Sequence, residues 1–395
     1  MKICFITNSV FNLGGVQRVV SVIANKLSKD FEVHILCMKD QYQEDRKIYN
    51  LDNAIKVHID GSLVKRGVLN TFLYKVTSKI NNKVRIFNNR LLYRIFTVIY
   101  YPFKMRKAVV EFINANKFDL VIGVEGIYSI LIALVSGKIS CKTIGWQHNS
   151  YEAYLRNKNR YYWGQDILFN KYIRKLDRYI VLTNHEKEKY KSEMKLDVLV
   201  VNNPRSFSSD EKSDVKSKMF LAAGRFNHQK GFDLLIESFR EFSNKNDDWN
   251  LYIVGEGEEY TSIWEKIVEY GLENRIKIMP FTSDIQHYFL EASVLLLPSR
   301  WEGMPMIALE SLEMGVPIVA YEITAMREIV DNYKEGIIVD KFDTSKFADA
   351  MMKLSESYTL RKSLSEQCII KSNKFEINNI ALQWINIIKE LMEID

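Results

Sequence analysis

The chain has 395 residues, 47% hydrophobic and 26% charged, with a formal net charge of +6. Those proportions suit a soluble globular protein of two or three domains, at roughly 100–200 residues each. Gly 17 and Pro 6 exclude collagen-like and low-complexity chains, and 12% aromatic residues exclude a disordered one. Cys4, Cys37, Cys141 and Cys368 are far apart and fit neither a disulfide framework nor zinc-ligand spacing, so a reducing compartment is expected. With six histidines, a multi-His metal cluster is not expected.

The first residues, Met1-Lys2-Ile3-Cys4-Phe5-Ile6, read as a short buried strand, not as a secretion signal. A second strand is predicted over 31–38, with a helical period over 19–27 between them. Residues 61–110 follow, with eleven Lys or Arg and no Asp or Glu. Apolar and aromatic residues interleave there, with Phe72, Tyr74, Phe87, Leu91, Tyr93, Phe96, Tyr100 and Phe103 as candidate anchors. Such a segment suits an anionic membrane surface, a nucleic acid or a plain solvated face. The membrane surface is the reading adopted, and no nucleic-acid partner is expected. Further strands are predicted over 118–124, 141–146, 178–183 and 198–201. Strands alternating with helices argue for a parallel sheet covered on both faces. No stretch reaches 18 uncharged apolar residues, so no membrane span is expected.

Residues 204–217 are polar, start at Pro204 and lack apolar period, which predicts a linker after an N-terminal domain of residues 1–203. The βα rhythm then restarts over 218–375. Strands are predicted at 219–223, 250–254, 275–279, 293–298 and 317–320, and helices at 231–243, 259–271, 283–291, 305–314 and 325–331. Residues 376–395 have a helical period that carries Trp384, Ile387 and Leu391.

Four clusters could carry chemistry. Gly14-Gly15 follows the first strand and opens a helix, where backbone N–H groups can approach a ligand; a plain tight turn is the alternative. The dinucleotide pattern G-x-G-x-x-G is absent. Arg225 and Lys230 flank a turn, Gly224 to Gly231, that leads into a helix. Two cations beside free helix N–H groups can hold a diphosphate, and otherwise they are surface charge. Glu302-Gly303-Met304-Pro305-Met306, with Glu310, follows a buried strand. The carboxylates can hold sugar hydroxyls, or act as a helix charge partner and a buried salt bridge. His148, after the strand 141–146, can donate a hydrogen bond or exchange a proton near pH 7, or be structural. His34 and His58 lack such a setting.

Taken together, these segments resemble the family-4 retaining glycosyltransferases of GT-B fold. The resemblance spans nearly the whole chain. It is most specific in the second half, where Leu295-Leu296-Leu297-Pro298-Ser299, Glu302-x7-Glu310 and Met314-Gly315-Val316-Pro317-Ile318-Val319-Ala320 follow one another. It implies an α/β fold of two Rossmann-like domains facing across a cleft, with the nucleotide sugar held by the second and the acceptor by the first. Arg225 and Lys230 would grip the donor diphosphate, and Glu302 would contact hydroxyls of the transferred sugar. In the run Gly303-Met304-Pro305-Met306, the backbone N–H groups of Gly303, Met304 and Met306 would lie near sugar or phosphate. Glu310 would bind the ribose, Gly14 and Gly15 would approach the phosphate, and His148 would sit near the donor sugar. The terminal helix, 376–395, would cross back to the first domain. Pro280-Phe281-Thr282-Ser283 lacks the family's usual glycine, and Gln17-Arg18 replaces the commoner Glu-Arg, so fine donor and acceptor contacts would differ.

The expected function is transfer of a hexosyl or N-acetylhexosaminyl group, with retention, from a nucleoside diphosphate sugar, UDP-linked by preference. No metal or cofactor is expected. A lipid-linked saccharide at the cytoplasmic membrane face is the expected acceptor, in surface-glycan synthesis. A soluble-acceptor transferase and a non-enzymatic sugar-nucleotide binder are the alternatives. The joint presence of Arg225, Lys230, Glu302 and Glu310 speaks against the binder.

Overall fold

The computed structural model describes residues 1–158 and 160–393. The chain divides into two compact units, Met1–Asn202 with Ile380–Asp395, and Asn203–Asn379.

The first unit holds strands β1 (Lys2–Thr7), β2 (Glu32–Cys37), β3 (Lys56–Ile59), β4 (Leu120–Val124), β5 (Lys142–Trp146), β6 (Arg178–Val181) and β7 (Leu199–Val200). They form one parallel sheet in the order β3-β2-β1-β4-β5-β6-β7. β1 and β4 are continuous apolar runs because helices cover both faces of a parallel sheet. The order reverses between β1 and β4, and such a switch point opens a crevice at the carboxyl ends of the strands. The strand β3 escapes sequence reading because it is a four-residue edge with no fully buried residue.

The second unit holds β8 (Met219–Ala223), β9 (Asn250–Val254), β10 (Ile276–Met279), β11 (Val294–Leu297), β12 (Ile318–Tyr321) and β13 (Gly336–Val339). Its parallel order is β10-β9-β8-β11-β12-β13, with the switch point between β8 and β11. The fold is GT-B, two Rossmann-like units. The helix expected at 325–331 is instead a 3₁₀ turn, Thr324–Glu328. It is too short for α-helical pairing, and Asp331 is held past it by its N–H donating to Glu335 at 2.7 Å.

Residues 203–217 contain no helix or strand and lie against the second unit. Arg205 pairs with buried Glu313, Lys212 Nζ reaches Glu313 at 2.6 Å, and Ser213 N–H donates to the Met314 carbonyl at 2.9 Å. The last helix, Ile377–Met392, puts Trp384 edge-on to Trp146 at 4.7 Å in the core of the first unit.

The basic segment forms helices Val68–Val84, Tyr93–Tyr100 and Phe103–Asn116. Two of the expected anchors, Tyr93 and Phe96, are core residues at 5% and 1% exposure. They lie three apart on the inward face of their helix, where Phe96 stacks on Tyr100 at 3.8 Å. Phe72, Leu91 and Phe103 are exposed. Helix Val68–Val84 is inverted: its buried residues are Thr77 and Asn81, whereas Val68, Leu69, Phe72, Leu73, Val76 and Ile80 face outward. Asn81 explains the orientation. Its amide donates to the carbonyls of Trp163 and Gly164 at 3.2 Å, and its oxygen accepts from the Phe87 N–H at 3.2 Å. Among the described residues, no helix is long and apolar enough to cross a membrane.

Candidate active site

In the second unit, β8 runs into the turn from Gly224 to Gly231 and then into helix Phe232–Ser243. Two glycines let this turn nest on its neighbours. A Cβ on Gly231, whose φ is +69°, would lie 2.2 Å from the Pro298 carbonyl oxygen at the end of β11. A Cβ on Gly255, just past β9, would lie 2.0 Å from the Gly224 carbonyl oxygen. Phe226 seals the turn from beneath: its ring is fully buried, and its N–H donates to the Glu256 carbonyl at 2.7 Å.

The turn delivers Lys230 to Glu302, which lies beyond β11. Lys230 Nζ donates to Glu302 Oε1 at 2.6 Å, and Ser299 Oγ donates to the same oxygen at 2.8 Å. Gln229 Nε2 donates to Oε2 at 3.3 Å. Glu302 is only 7% exposed, so its charge depends on these partners. Arg300 braces the turn: its guanidinium grips both oxygens of Asp233 at 2.8 and 2.6 Å and donates to the His228 carbonyl at 2.8 Å. That pairing holds the Asp233 carboxyl below its ordinary range, against the opposing effect of burial. Arg225 is exposed beside the turn.

Gly303, Met304 and Pro305 lead into helix Met306–Glu313, with Pro305 at the N-cap. The first N–H groups of a helix have no partner within it and carry partial positive charge. Asn203 secures this entry, its side-chain amide donating to the Met304 carbonyl at 3.0 Å. Glu310, 1% exposed, accepts from Ser206 Oγ at 2.6 Å. The structure thus joins Lys230 and Glu302 directly at the β8–β11 switch point. Arg225 stands on the same turn, and Gly303, Met304, Pro305, Met306 and Glu310 belong to the next segment of the same unit.

Gly14, Gly15 and His148 lie in the first unit. Gly15 opens helix Gly15–Leu27, and the Gly14 N–H donates to the Tyr49 hydroxyl at 2.8 Å. His148 is 8% exposed and packs on Trp146 with ring centroids 4.2 Å apart. Burial pushes its imidazole down to about 3, which favours the neutral ring at pH 7. Its Nε2 is buried and has no hydrogen-bond partner among the described residues.

A polar network fixes the loop that carries His148. Gln147 Oε1 accepts from the Tyr179 hydroxyl at 3.2 Å and from Tyr190, and its Nε2 donates to Glu186 at 3.2 Å. Glu186 also accepts from the Tyr151 N–H at 2.5 Å, and burial pushes its carboxyl up to about 8. The folded state therefore binds an extra proton between the unfolded value, roughly 4.3, and about 8. Stability should fall as pH rises through that window, by at most about 1.4 kcal/mol per pH unit from this group. Glu186→Gln should flatten that slope. Urea midpoints from pH 5 to 8 measure it, and an unchanged slope would show that the carboxyl does not hold the proton.

Sequence reading missed Gly255, Gly257, whose added Cβ would lie 2.4 Å from the Phe226 carbonyl oxygen, and Arg300, Tyr49 and Glu186. The G-x-G after β9 was a visible signal for the first two. The others are ordinary residues whose partners are remote in sequence. Among the described residues, no group of three or more His, Cys, Asp or Glu could hold a metal ion.

Two family models match, Glycosyltransferase Family 4 over residues 13–205 and Glycosyl transferases group 1 over residues 205–369. The chain belongs to the family-4 glycosyltransferases. This glycosyltransferase is 25% identical to the amylovoran biosynthesis glycosyltransferase AmsD of Erwinia amylovora, over 98% of the chain and 99% of that protein. It is 24% identical to an α-1,4-N-acetyl-D-galactosaminyltransferase of Campylobacter jejuni, over 99% of each chain. The name of that relative specifies an undecaprenol-diphosphate-linked acceptor. Among solved structures, Anabaena HepE in complex with UDP and glucose superposes with a TM-score of 0.74 at 16% identity, over 98% of this chain and 99% of that one.

Proposed function

We propose that the enzyme moves a hexosyl or N-acetylhexosaminyl group from a UDP-sugar to a lipid-linked saccharide at an anionic membrane surface, with retention of configuration, in surface-glycan synthesis. The observation that carries the donor reading is the Lys230–Glu302 pair at the β8–β11 switch point. Breaking the sugar–phosphate bond builds negative charge on the β-phosphate. Lys230 has donors beyond the one spent on Glu302, and Arg225 and the N-terminus of helix Met306–Glu313 add positive potential. These groups do without a divalent ion what other transferases do with one. Glu302 accepts three hydrogen bonds, which suits it to hold sugar hydroxyls and blunts it as a nucleophile. Same-face attack guided by the leaving phosphate follows. The UDP complex of HepE and the names of the two relatives support the donor and acceptor classes.

The inverted helix Val68–Val84 supports the membrane part. Lys75, Lys79 and Lys83 are exposed on the same helix as its outward apolar residues. Each cation near an anionic surface contributes roughly 1 kcal/mol before screening, and apolar insertion adds a component that salt does not remove.

A nucleotide-sugar panel with EDTA present, offered lipid-linked and soluble saccharides, tests the reaction, and NMR of the product reads its anomeric configuration. UDP-sugar turnover with retention is expected. An inverted product, or activity restored only by a divalent ion, would overturn the mechanism. Co-sedimentation should favour anionic over neutral vesicles, and the Leu69→Ser, Phe72→Ser double variant should bind them at least about tenfold more weakly with UDP affinity unchanged. Equal binding to neutral vesicles and equal use of a soluble saccharide would favour the soluble-acceptor reading.

A further inference from the structure

Glu125 ends β4 at the switch point of the first sheet, one strand away from β1 on one side and β5 on the other. Its backbone is left-handed, with φ +65°. A non-glycine residue rarely sits there, and such conformers concentrate where function requires them. The preceding strand and the following helix leave it little choice. Ser129 Oγ bridges the turn, donating to the Gly123 and Glu125 carbonyls at 2.9 and 2.8 Å. A Cβ on Gly126 would collide with the Tyr162 ring at 2.6 Å.

The Glu125 side chain is partly buried and makes no ion pair or hydrogen bond among the described residues. Tyr128, Tyr154 and Tyr162 surround it closely enough to feel its charge, and Lys39, just past β2, is the cation that does so. Burial raises its carboxyl to about 7, only partly offset by Lys39. The Tyr154 hydroxyl also reaches the backbone N–H of His148, which donates to it at 3.5 Å, so one tyrosine spans the ends of β4 and β5. The unpartnered Nε2 of His148, in a residue more than nine-tenths buried, is a second polar group waiting at that row of strand ends. On the other side, the Tyr128 hydroxyl donates to Asn8 Oδ1 at 3.3 Å, at the end of β1.

A carboxylate with no hydrogen bond or ion pair among the described residues, with three tyrosines near enough to feel its charge, suits a ligand rich in hydroxyls. A sugar hydroxyl would donate to the carboxylate, while its C–H face would lie on tyrosine. We propose that Glu125 is the acceptor-binding carboxylate of this enzyme, accepting a hydrogen bond from a hydroxyl of the acceptor saccharide. This rests on the transferase reading above, and it adds a named residue of the first unit to the acceptor side of the reaction. The left-handed backbone at Glu125 fits a residue whose placement serves function.

The test compares wild type with Glu125→Gln and Glu125→Gly. Glycine removes the carboxylate and suits the backbone, so it guards against a variant that merely fails to fold. UDP affinity is read by calorimetry. Transfer is read with whichever saccharide of the panel, lipid-linked or soluble, the wild type glycosylates. UDP affinity should stay within twofold in both variants. Acceptor kcat/KM should fall about 30- to 100-fold, mostly through KM, and the ionisation near pH 7 in its pH profile should vanish in Glu125→Gln. Transfer retained within threefold, or an unchanged pH profile, would overturn the proposal. UDP affinity falling in step with transfer would overturn it too, by assigning Glu125 to the donor or to the scaffold. Wild type that uses only a soluble saccharide would refute the lipid-linked reading and leave the Glu125 comparison fully measurable.

Discussion

Replacing Lys230 with Ala is expected to lower kcat/KM by about 10²–10³-fold, the range for losing one preorganised group that stabilises developing charge. Both donor binding and turnover should fall, because the proposed mechanism assigns the ammonium to the leaving phosphate. The same substitution has a second effect. It strips Glu302 of its cation while Ser299 and Gln229 remain. A carboxylate 7% exposed then carries a charge poorly matched by its surroundings, at a cost of about 2–3 kcal/mol once the partial exposure of Lys230 is allowed for. The double variant with Glu302→Gln separates the effects. It should regain most of the stability and none of the activity. Activity returning with stability would mean that Lys230 serves only to neutralise Glu302.

Gly231→Ala should be the most destabilising small substitution in the donor turn, at about 2–4 kcal/mol. The new Cβ would sit 2.2 Å from a backbone oxygen of β11, which cannot move without disturbing the sheet. Gly271→Ala is the control. Gly271 has a similar φ of +63° but nothing within 4 Å of the added carbon. It should lose only the backbone preference, about 1 kcal/mol. Urea midpoints of the two variants decide the matter, and equal losses would show that the contact with Pro298 yields. Transfer should also drop in Gly231→Ala, since Lys230 is its neighbour, and stay near normal in Gly271→Ala.

Much of this architecture can be read from the chain because parallel strands buried on both faces leave unbroken apolar runs, such as Val294-Leu295-Leu296-Leu297 in β11. The edge strand β3 leaves none, with Lys56 and His58 among its four residues, and was missed for that reason; β13 was missed although it is apolar, being only four residues long. The turn with Arg225 and Lys230 announces itself by charge beside glycine. Its direct partnership with Glu302 crosses more than seventy positions, and no local pattern encodes it. Glu125 lies inside an apolar stretch and escapes sequence reading, because strain at one φ angle has no signature in composition. Tyr93 and Phe96 show the converse. Aromatic residues in a basic segment look like anchors until the helix face decides that they point inward. The outward face of helix Val68–Val84 was hidden for a related reason. Amphipathic period reveals that a helix has two faces, and only a tertiary contact such as that of Asn81 with Trp163 tells which one is turned inside.

The last helix also dictates an order of events on the ribosome. The first unit owns residues Met1–Asn202 and also Ile380–Asp395, so a segment made early depends on one made after the whole second unit. Trp146 meets Trp384 only after the whole intervening unit has been made. At about 5–20 residues per second, that is a delay of roughly 10–40 seconds. Throughout that interval the nascent first unit carries the surface meant for Ile380, Trp384 and Ile388 uncovered, a docking place for chaperones and a hazard for nonsense-truncated chains. A stop codon a few turns early would spare every residue of the donor turn and still deny Trp146 its neighbour, two positions from His148.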